Sequence, residues 1–154
     1  MAVTLRPALP SDAARLTAIA LAAKRHWGYP EAWIEAWIDG LTFTPDYIRA
    51  HHVTVAEADG LAVACAVLEG VSGEIGVEHV WVDPPWIGRG IGRRLFEHAV
   101  ASGREMGATA LVIHSDPHAG PFYERMGCEP DGTVRADVCG EARELPCYRY
   151  ALTG

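Results

Sequence analysis

The chain has 154 residues, with thirteen Lys plus Arg against twenty Asp plus Glu for a formal charge of −7, and it is 49% hydrophobic and 21% charged. At roughly 100–200 residues per domain this is one domain, 1–154, able to bury about 68–70% of its unfolded surface without a disulfide or structural metal; near-average composition excludes a disordered or fibrous protein. The acidic balance argues against nucleic acid as a partner, since such binding needs clustered cations that displace counterions from phosphate, and it suits a cationic substrate.

Val3 to Ala8 reads as a short strand. Ser11 stands where an N-cap belongs, with Asp12 in the first turn, ahead of Leu16, Ile19, Ala20 and Ala23 at helical spacing. Trp33, Ile34, Trp37, Ile38 and Leu41 mark one face of a second helix, with Gly40 near its end. Thr44-Pro45-Asp46 reads as cap, N1 proline and first-turn acid of a third. From His52 the period changes to two, and Asp59-Gly60 supplies the positive φ angles of a type I′ hairpin turn. Glu74 to Val82 is a further strand. A long helix runs from about Gly90 to Met106 and ends at Gly107, followed by a strand from Ala110 to His114, a short helix from Pro121 to Met126 closed by Gly127, and a last strand from Glu144 to Leu152. The order β-α-α-α-β-β-β-α-β-α-β implies an α/β (α+β) domain with a mixed sheet, antiparallel in its N-terminal half, and flanking helices.

The longest apolar run, Leu61 to Leu68, is far short of the ~18 residues of a membrane span. The N-terminus carries no apolar h-region, so no membrane association or export is expected. Cys65, Cys128, Cys139 and Cys147 form no CxxC pair and have no metal-like spacing with histidine, which points to reduced thiols, no bound metal and a cytoplasmic location.

The most informative segment is VWVDPPWIGRGIGRRL, from Val80 to Leu95. A strand ends at Pro84-Pro85, glycines follow at alternate positions, and a helix begins. Amides at Gly88, Gly90 and Gly92 can turn inward as a nest of donors, and the helix start adds unpaired N–H groups and a positive dipole end. The expected ligand is a phosphate. A dinucleotide fingerprint counted from Gly88 needs glycine at position 93, where Arg93 stands, and no GK[ST] triplet closes a Walker loop. The second segment, SDPHAGPFYERMG from Ser115 to Gly127, begins where the next strand ends. Phe122 is expected in the core and Tyr123 on another face of its short helix.

The run VxVDPxxxGxGxGRxL followed by SDPxAxxFYxxMG resembles motifs A and B of the GNAT superfamily of N-acetyltransferases, closely over residues 77–128. The resemblance implies the GNAT fold, with strands splayed at the cofactor site, and acetyl transfer from acetyl-coenzyme A to a small primary amine. It places the pantetheine arm against the backbone of Val80, Trp81 and Val82 and the pyrophosphate on the loop amides of Gly88, Arg89, Gly90, Ile91, Gly92 and Arg93. Asp116 and His118 stand at positions near the cofactor where the family often has Asn. Ile87 replaces a usual Gln or Arg and is expected to act through its amide. Other readings are a non-catalytic acyl-coenzyme A sensor and a protein Nα-acetyltransferase.

A phenol of pKa about 10 is protonated at neutral pH and can donate to a departing thiolate, so Tyr123 is the expected general acid. An alkyl amine of pKa about 10.4 is only about one part in two and a half thousand neutral at about pH 7. Glu78, on the strand leading to Val80, is the candidate for removing its proton, with His79 and His26 as weaker alternatives. The segment KRHWGYP from Lys24 to Pro30 is where the family builds its acceptor wall, and Trp27 and Tyr29 are expected to offer aromatic faces to a cation. Thr133 to Cys147 is expected to close the site or form a homodimer contact. The three arginines Arg89, Arg93 and Arg94 should gather at the phosphate nest, leaving the acidic excess around the amine entrance.

Overall fold

The computed structural model describes residues 2–71 and 73–153. Seven strands form one mixed sheet in the order β1-β2-β3-β4-β5-β7-β6, with β1 at Val3–Pro7, β2 at His52–Ala58, β3 at Leu61–Val71, β4 at Glu74–Val82, β5 at Ala110–His114, β6 at Glu129–Arg135 and β7 at Glu144–Ala151. The helices are α1 (Ala13–His26), α2 (Glu31–Leu41), α3 (Pro45–Ala50), α4 (Ile91–Glu105) and α5 (Gly120–Arg125). β1 lies antiparallel to β2, with Val3 opposite Ala58. The hairpin turn follows the expected geometry, Asp59 and Gly60 taking φ of 51° and 78°. No helix among the described residues is long and apolar enough to cross a membrane.

By its internal contacts the chain divides into two compact units, one of Met1–Val67 with His79–Leu95 and one of Leu68–Glu78 with Phe96–Gly154. In the first, Leu16, Ile19 and Ala20 of α1, Leu41, Phe43 and Ile48 pack against Val53, Val55, Cys65 and Val67. A second cluster joins Ala56, Ala58, Ala64 and Ala66 to Ile91 and Leu95 of α4. β2 and β3 are thus covered on both faces, which is why Leu61 to Leu68 reads as an unbroken apolar run instead of alternating.

One helix end differs from expectation. A 3₁₀ turn, Pro10–Asp12, precedes α1, so Ser11 lies inside that turn and Asp12 takes the cap position. The Asp12 carboxylate accepts from the Leu9 N–H at 2.7 Å and from the Arg6 guanidinium at 2.8 and 3.0 Å, and this fork holds it below the usual carboxylate range. Gly40 is the penultimate residue of α2, near the helix end as expected. The Thr44 cap is as expected, its hydroxyl accepting from the Tyr47 N–H at 3.0 Å.

In the second unit β4 and β5 pair in parallel through Glu74–Gly76 and Ala110–Val112, and β7 runs antiparallel to both β5 and β6. β6 falls in a stretch whose Pro130, Asp131 and Gly132 carry the signature of a turn. The chain accommodates them by a register shift between Pro130 and Thr133, with Gly132 at φ 84°. Thr133 to Cys147 accordingly contributes the β6–β7 hairpin at the sheet edge.

In α4, a Cβ on Gly103 would come within 2.7 Å of Leu152 Cδ1 and 3.3 Å of Leu111 Cδ2. Leu111 is fully buried and has no space to retreat. Gly103→Val is therefore expected to lower stability by about 1–3 kcal/mol, more than its gain in helix propensity restores, and to appear as a lower urea midpoint at unchanged m value.

Candidate functional site

The glycine loop is set by the way β4 stops. Asp83, the residue after the strand, donates its N–H to the Val63 carbonyl at 2.9 Å. Its carboxylate accepts from Arg15 Nη2 at 2.8 Å, while Arg15 Nε donates to the Ala62 carbonyl at 2.9 Å. Sequence reading passes over Arg15, because no local pattern links positions 68 residues apart. Pro84–Trp86 then forms a 3₁₀ turn, and Trp86 packs with Val80, Val82, Ile91 and Leu95. The Arg89 guanidinium lies 4.6 Å from the Trp86 ring centroid.

Beyond this anchor Gly88 and Gly90 take φ of 82° and 79°, and a Cβ on either would meet nothing within 4 Å. The first helical bond of α4 runs from the Arg94 N–H to the Gly90 carbonyl at 3.2 Å, which leaves the N–H groups of Ile91, Gly92 and Arg93 ahead of the helical ladder, at the positive end of the dipole. The loop is thus two left-handed glycines followed by a helix start; Gly92 belongs to the helix instead of forming a third turn position. Two expectations change. The Ile87 N–H donates to the Pro84 carbonyl at 3.2 Å and is engaged in closing the turn. Arg94, though exposed like Arg89 and Arg93, donates to the Val3 carbonyl at 2.5 Å and ties α4 to β1.

Along β4 the amides of Trp81 and Asp83 face β3, toward Cys65 and Val63. By strand alternation the peptide groups of Val80 and Val82 face the other edge. Trp81 therefore differs from its expected role, and only Val80 and Val82 offer backbone partners on the edge opposite β3. Side chains alternate as well: Val80 and Val82 pack with Ile91 and Leu95, whereas Trp81 packs with the cluster of α1, α2 and α3. Glu78 is exposed, and its carboxylate lies back over Gly76, where a Cβ would come within 2.5 Å of Oε1.

On the Trp81 face, His79 Nδ1 accepts from the Trp81 indole N–H at 3.0 Å. Lys24, only 9% exposed, places its ammonium 4.3 Å from the Trp37 centroid, 5.2 Å from that of Tyr29 and 5.9 Å from that of Trp81. The cation meeting Tyr29 is therefore one of the chain's own, so the expectation for this ring is corrected. Tyr29 also stacks on Trp33 at 5.8 Å, while Trp27 is exposed and meets His26 edge-on at 5.3 Å. Burial, then the charges of Lys24 and His51, push the His79 pKa down to about 4 from its ordinary 6.5. The unfolded chain takes up a proton that the folded one refuses, so this contribution is complete above pH 6.5 and is lost as pH falls toward 4. Acidification across that window is expected to cost up to about 3 kcal/mol, and His79→Phe should flatten the slope in urea titrations at a series of pH values.

In the second unit Ser115 is buried and its hydroxyl donates to the Asp116 carbonyl at 2.7 Å. The Asp116 carboxylate accepts from the His118 N–H at 2.9 Å, lies 3.1 Å from His118 Nδ1 and 3.9 Å from Arg143 Nη2. Tyr123 is more buried than Phe122, reversing the expected order. Its ring stacks on Tyr148 at 6.0 Å and meets Phe122 and Phe96 edge-on. Burial, then neighbouring Cys128, raises the Tyr123 pKa above the ordinary phenol range. Tyr148 donates to Glu124 Oε2 at 2.7 Å, which with burial raises its pKa to about 12. Among the described residues no group of three His, Cys, Asp or Glu side chains is arranged to hold a metal ion.

Comparison with known proteins shows the same fold. The GCN5-related N-acetyltransferase structure from Rhodopseudomonas palustris matches with a TM-score of 0.82 at 24% identity, over 98% of this chain and 96% of that one. An N-acetyltransferase from Thermoplasma acidophilum in complex with coenzyme A matches with a TM-score of 0.78 at 16% identity, over 98% and 99%. A structure from Salmonella typhimurium with its cofactor acetyl-CoA matches with a TM-score of 0.74 at 18% identity, over 100% and 96%. The family model for the acetyltransferase (GNAT) domain matches residues 49–130, more than half of the sequence and the whole of the segment from β4 through α5, and the chain belongs to the GNAT acetyltransferase family.

Proposed function

We propose that the chain is a cytoplasmic N-acetyltransferase that moves an acetyl group from acetyl-CoA to the primary amine of a small molecule by direct attack. The observation that carries this reading is the left-handed pair Gly88 and Gly90 opening onto the first turn of α4. Six backbone N–H groups, those of Gly88, Arg89, Gly90, Ile91, Gly92 and Arg93, would serve pyrophosphate oxygens, with the Arg89 and Arg93 side chains exposed beside them. Val80 and Val82 would meet the pantetheine amides as an added strand does. Bound there, acetyl-CoA supplies an activated acetyl thioester.

Tyr123 matches the family's acid in sequence. Burial holds its phenol protonated at every physiological pH, so it serves a departing thiolate as a hydrogen-bond donor whose proton is always in place. Asp116 has its carboxylate committed to the His118 N–H and close to Arg143, which suits a role in holding the turn that follows β5. Glu78 is the candidate for relaying the amine proton to solvent.

Purified protein, acetyl-CoA and a panel of amines test the reading by release of free thiol. Turnover on small amines is expected, with Tyr123→Phe lowering kcat by about 10²–10⁴; tight cofactor binding without turnover would instead identify a sensor, and transfer to peptide N-termini alone a protein Nα-acetyltransferase. Gly90→Val is expected to weaken coenzyme A binding at least tenfold in calorimetry, because valine resists a φ of 79° and its side chain enters the open space over the loop. Unchanged affinity would remove the loop from the cofactor site.

A further inference from the structure

An indole N–H can only donate, so the 3.0 Å contact between Trp81 Nε1 and His79 Nδ1 makes Nδ1 the acceptor and puts the proton of the neutral imidazole on Nε2. Accepting another proton requires Nδ1 to give up the Trp81 bond, which disqualifies His79 as the general base. Its Nε2 has no hydrogen-bond partner among the described residues, and none of their buried side-chain nitrogens or oxygens lacks one, so Nε2 reaches accessible space. The ring is walled by Phe43 at 5.8 Å, Tyr47 at 6.5 Å and Trp81 at 5.7 Å. The charged or titratable groups acting on it are Lys24 and His51, and both disfavour a further positive charge. The aromatic faces of Tyr29, Trp37 and Trp81 that attract a cation are already turned to Lys24.

We propose that His79 is a specificity-determining donor for the acceptor molecule: its Nε2–H bonds an oxygen of the amine substrate, which is a monoamine with an apolar body and a hydroxyl or carbonyl oxygen, in preference to a di- or polyamine. A second ammonium has donors only and would meet another donor in a field set by Lys24 and His51. An apolar body is matched by the partly exposed rings of Tyr47 and Trp81. The inference rests on the N-acetyltransferase reading for the amine and on the His79–Trp81 geometry for the oxygen.

Two measurements on the full chain test it. Nitrogen-15 NMR at pH 7 should show the His79 ring as the neutral Nε2–H tautomer; an Nδ1–H tautomer or an imidazolium overturns the inference whether or not acetyl transfer occurs. Kinetics with acetyl-CoA compare 2-phenylethylamine, 2-amino-1-phenylethanol and 1,4-diaminobutane. The amino alcohol is expected to show a KM about three- to tenfold lower than the plain amine, the effect of one neutral hydrogen bond, and His79→Phe should bring that ratio to about one. Equal KM values, a ratio that survives His79→Phe, or preference for the diamine overturns the proposal. Tryptophan fluorescence titration with the same three compounds reads the same ratio as Kd where no acetyl is transferred, so failure of the enzyme reading and failure of this inference are separate results.

Discussion

The junction of Arg15, Asp83 and β3 is the constraint from which the rest of the first unit follows. A strand that ran one residue further would rotate every later peptide by half a pleat. Asp83 prevents this by placing its N–H on Val63 and its carboxylate on Arg15, which is itself held by the Ala62 carbonyl. The pair is only partly exposed and its bonds are charge-assisted, a class that contributes about 1.5–3 kcal/mol each. With that point fixed, the proline turn, the Trp86 anchor and the left-handed glycines follow without further choice. The loop's shape is inherited from a helix and a strand distant in sequence.

The same pleat sorts the chemistry of β4. Residues on one phase direct their peptide groups to β3 and their side chains, Trp81 and His79, to the helical layer of α1, α2 and α3. Residues on the other phase direct their peptide groups away from β3 and their side chains, Val80 and Val82, to α4. One strand thus supplies backbone partners and ring chemistry from alternate positions. On the Trp81 face the charge enclosed by the aromatic rings is the Lys24 ammonium.

Most of the fold was legible because its signals are local. The Asp59-Gly60 turn, the Thr44 cap and the apolar face of α1 each lie within a few residues and obey one dominant rule. β6 was hidden because Pro130-Asp131-Gly132 carries turn chemistry that the sheet absorbs as a register shift at its edge. Gly40 marked the end of α2 to within one residue, the helix running on only to Leu41, which is buried in the core. In the site, the left-handed turns at Gly88 and Gly90 were readable from spacing alone. The tautomer of His79, the enclosure of Lys24 and the engagement of the Ile87 amide were not, since each depends on a partner fixed by tertiary packing. Phe122 and Tyr123 exchanged their expected burial for a similar reason: on a six-residue helix one step of rotation decides which ring meets Tyr148 and Phe96.

The distribution of sulfur has a consequence of its own. Cys65, Cys128 and Cys147 are buried, and burial raises the pKa of Cys65 to about 12, that of Cys128 to about 11, and that of Cys147 above the ordinary thiol value. Thiolate is the reactive species, so these three are slow toward oxidants and alkylating agents. Cys139 is exposed, on a turn where it takes a φ of 48°. A native chain therefore presents one fast thiol to a disulfide reagent and the other three only on opening, which makes the sulfur count a chemical clock for unfolding that needs no label.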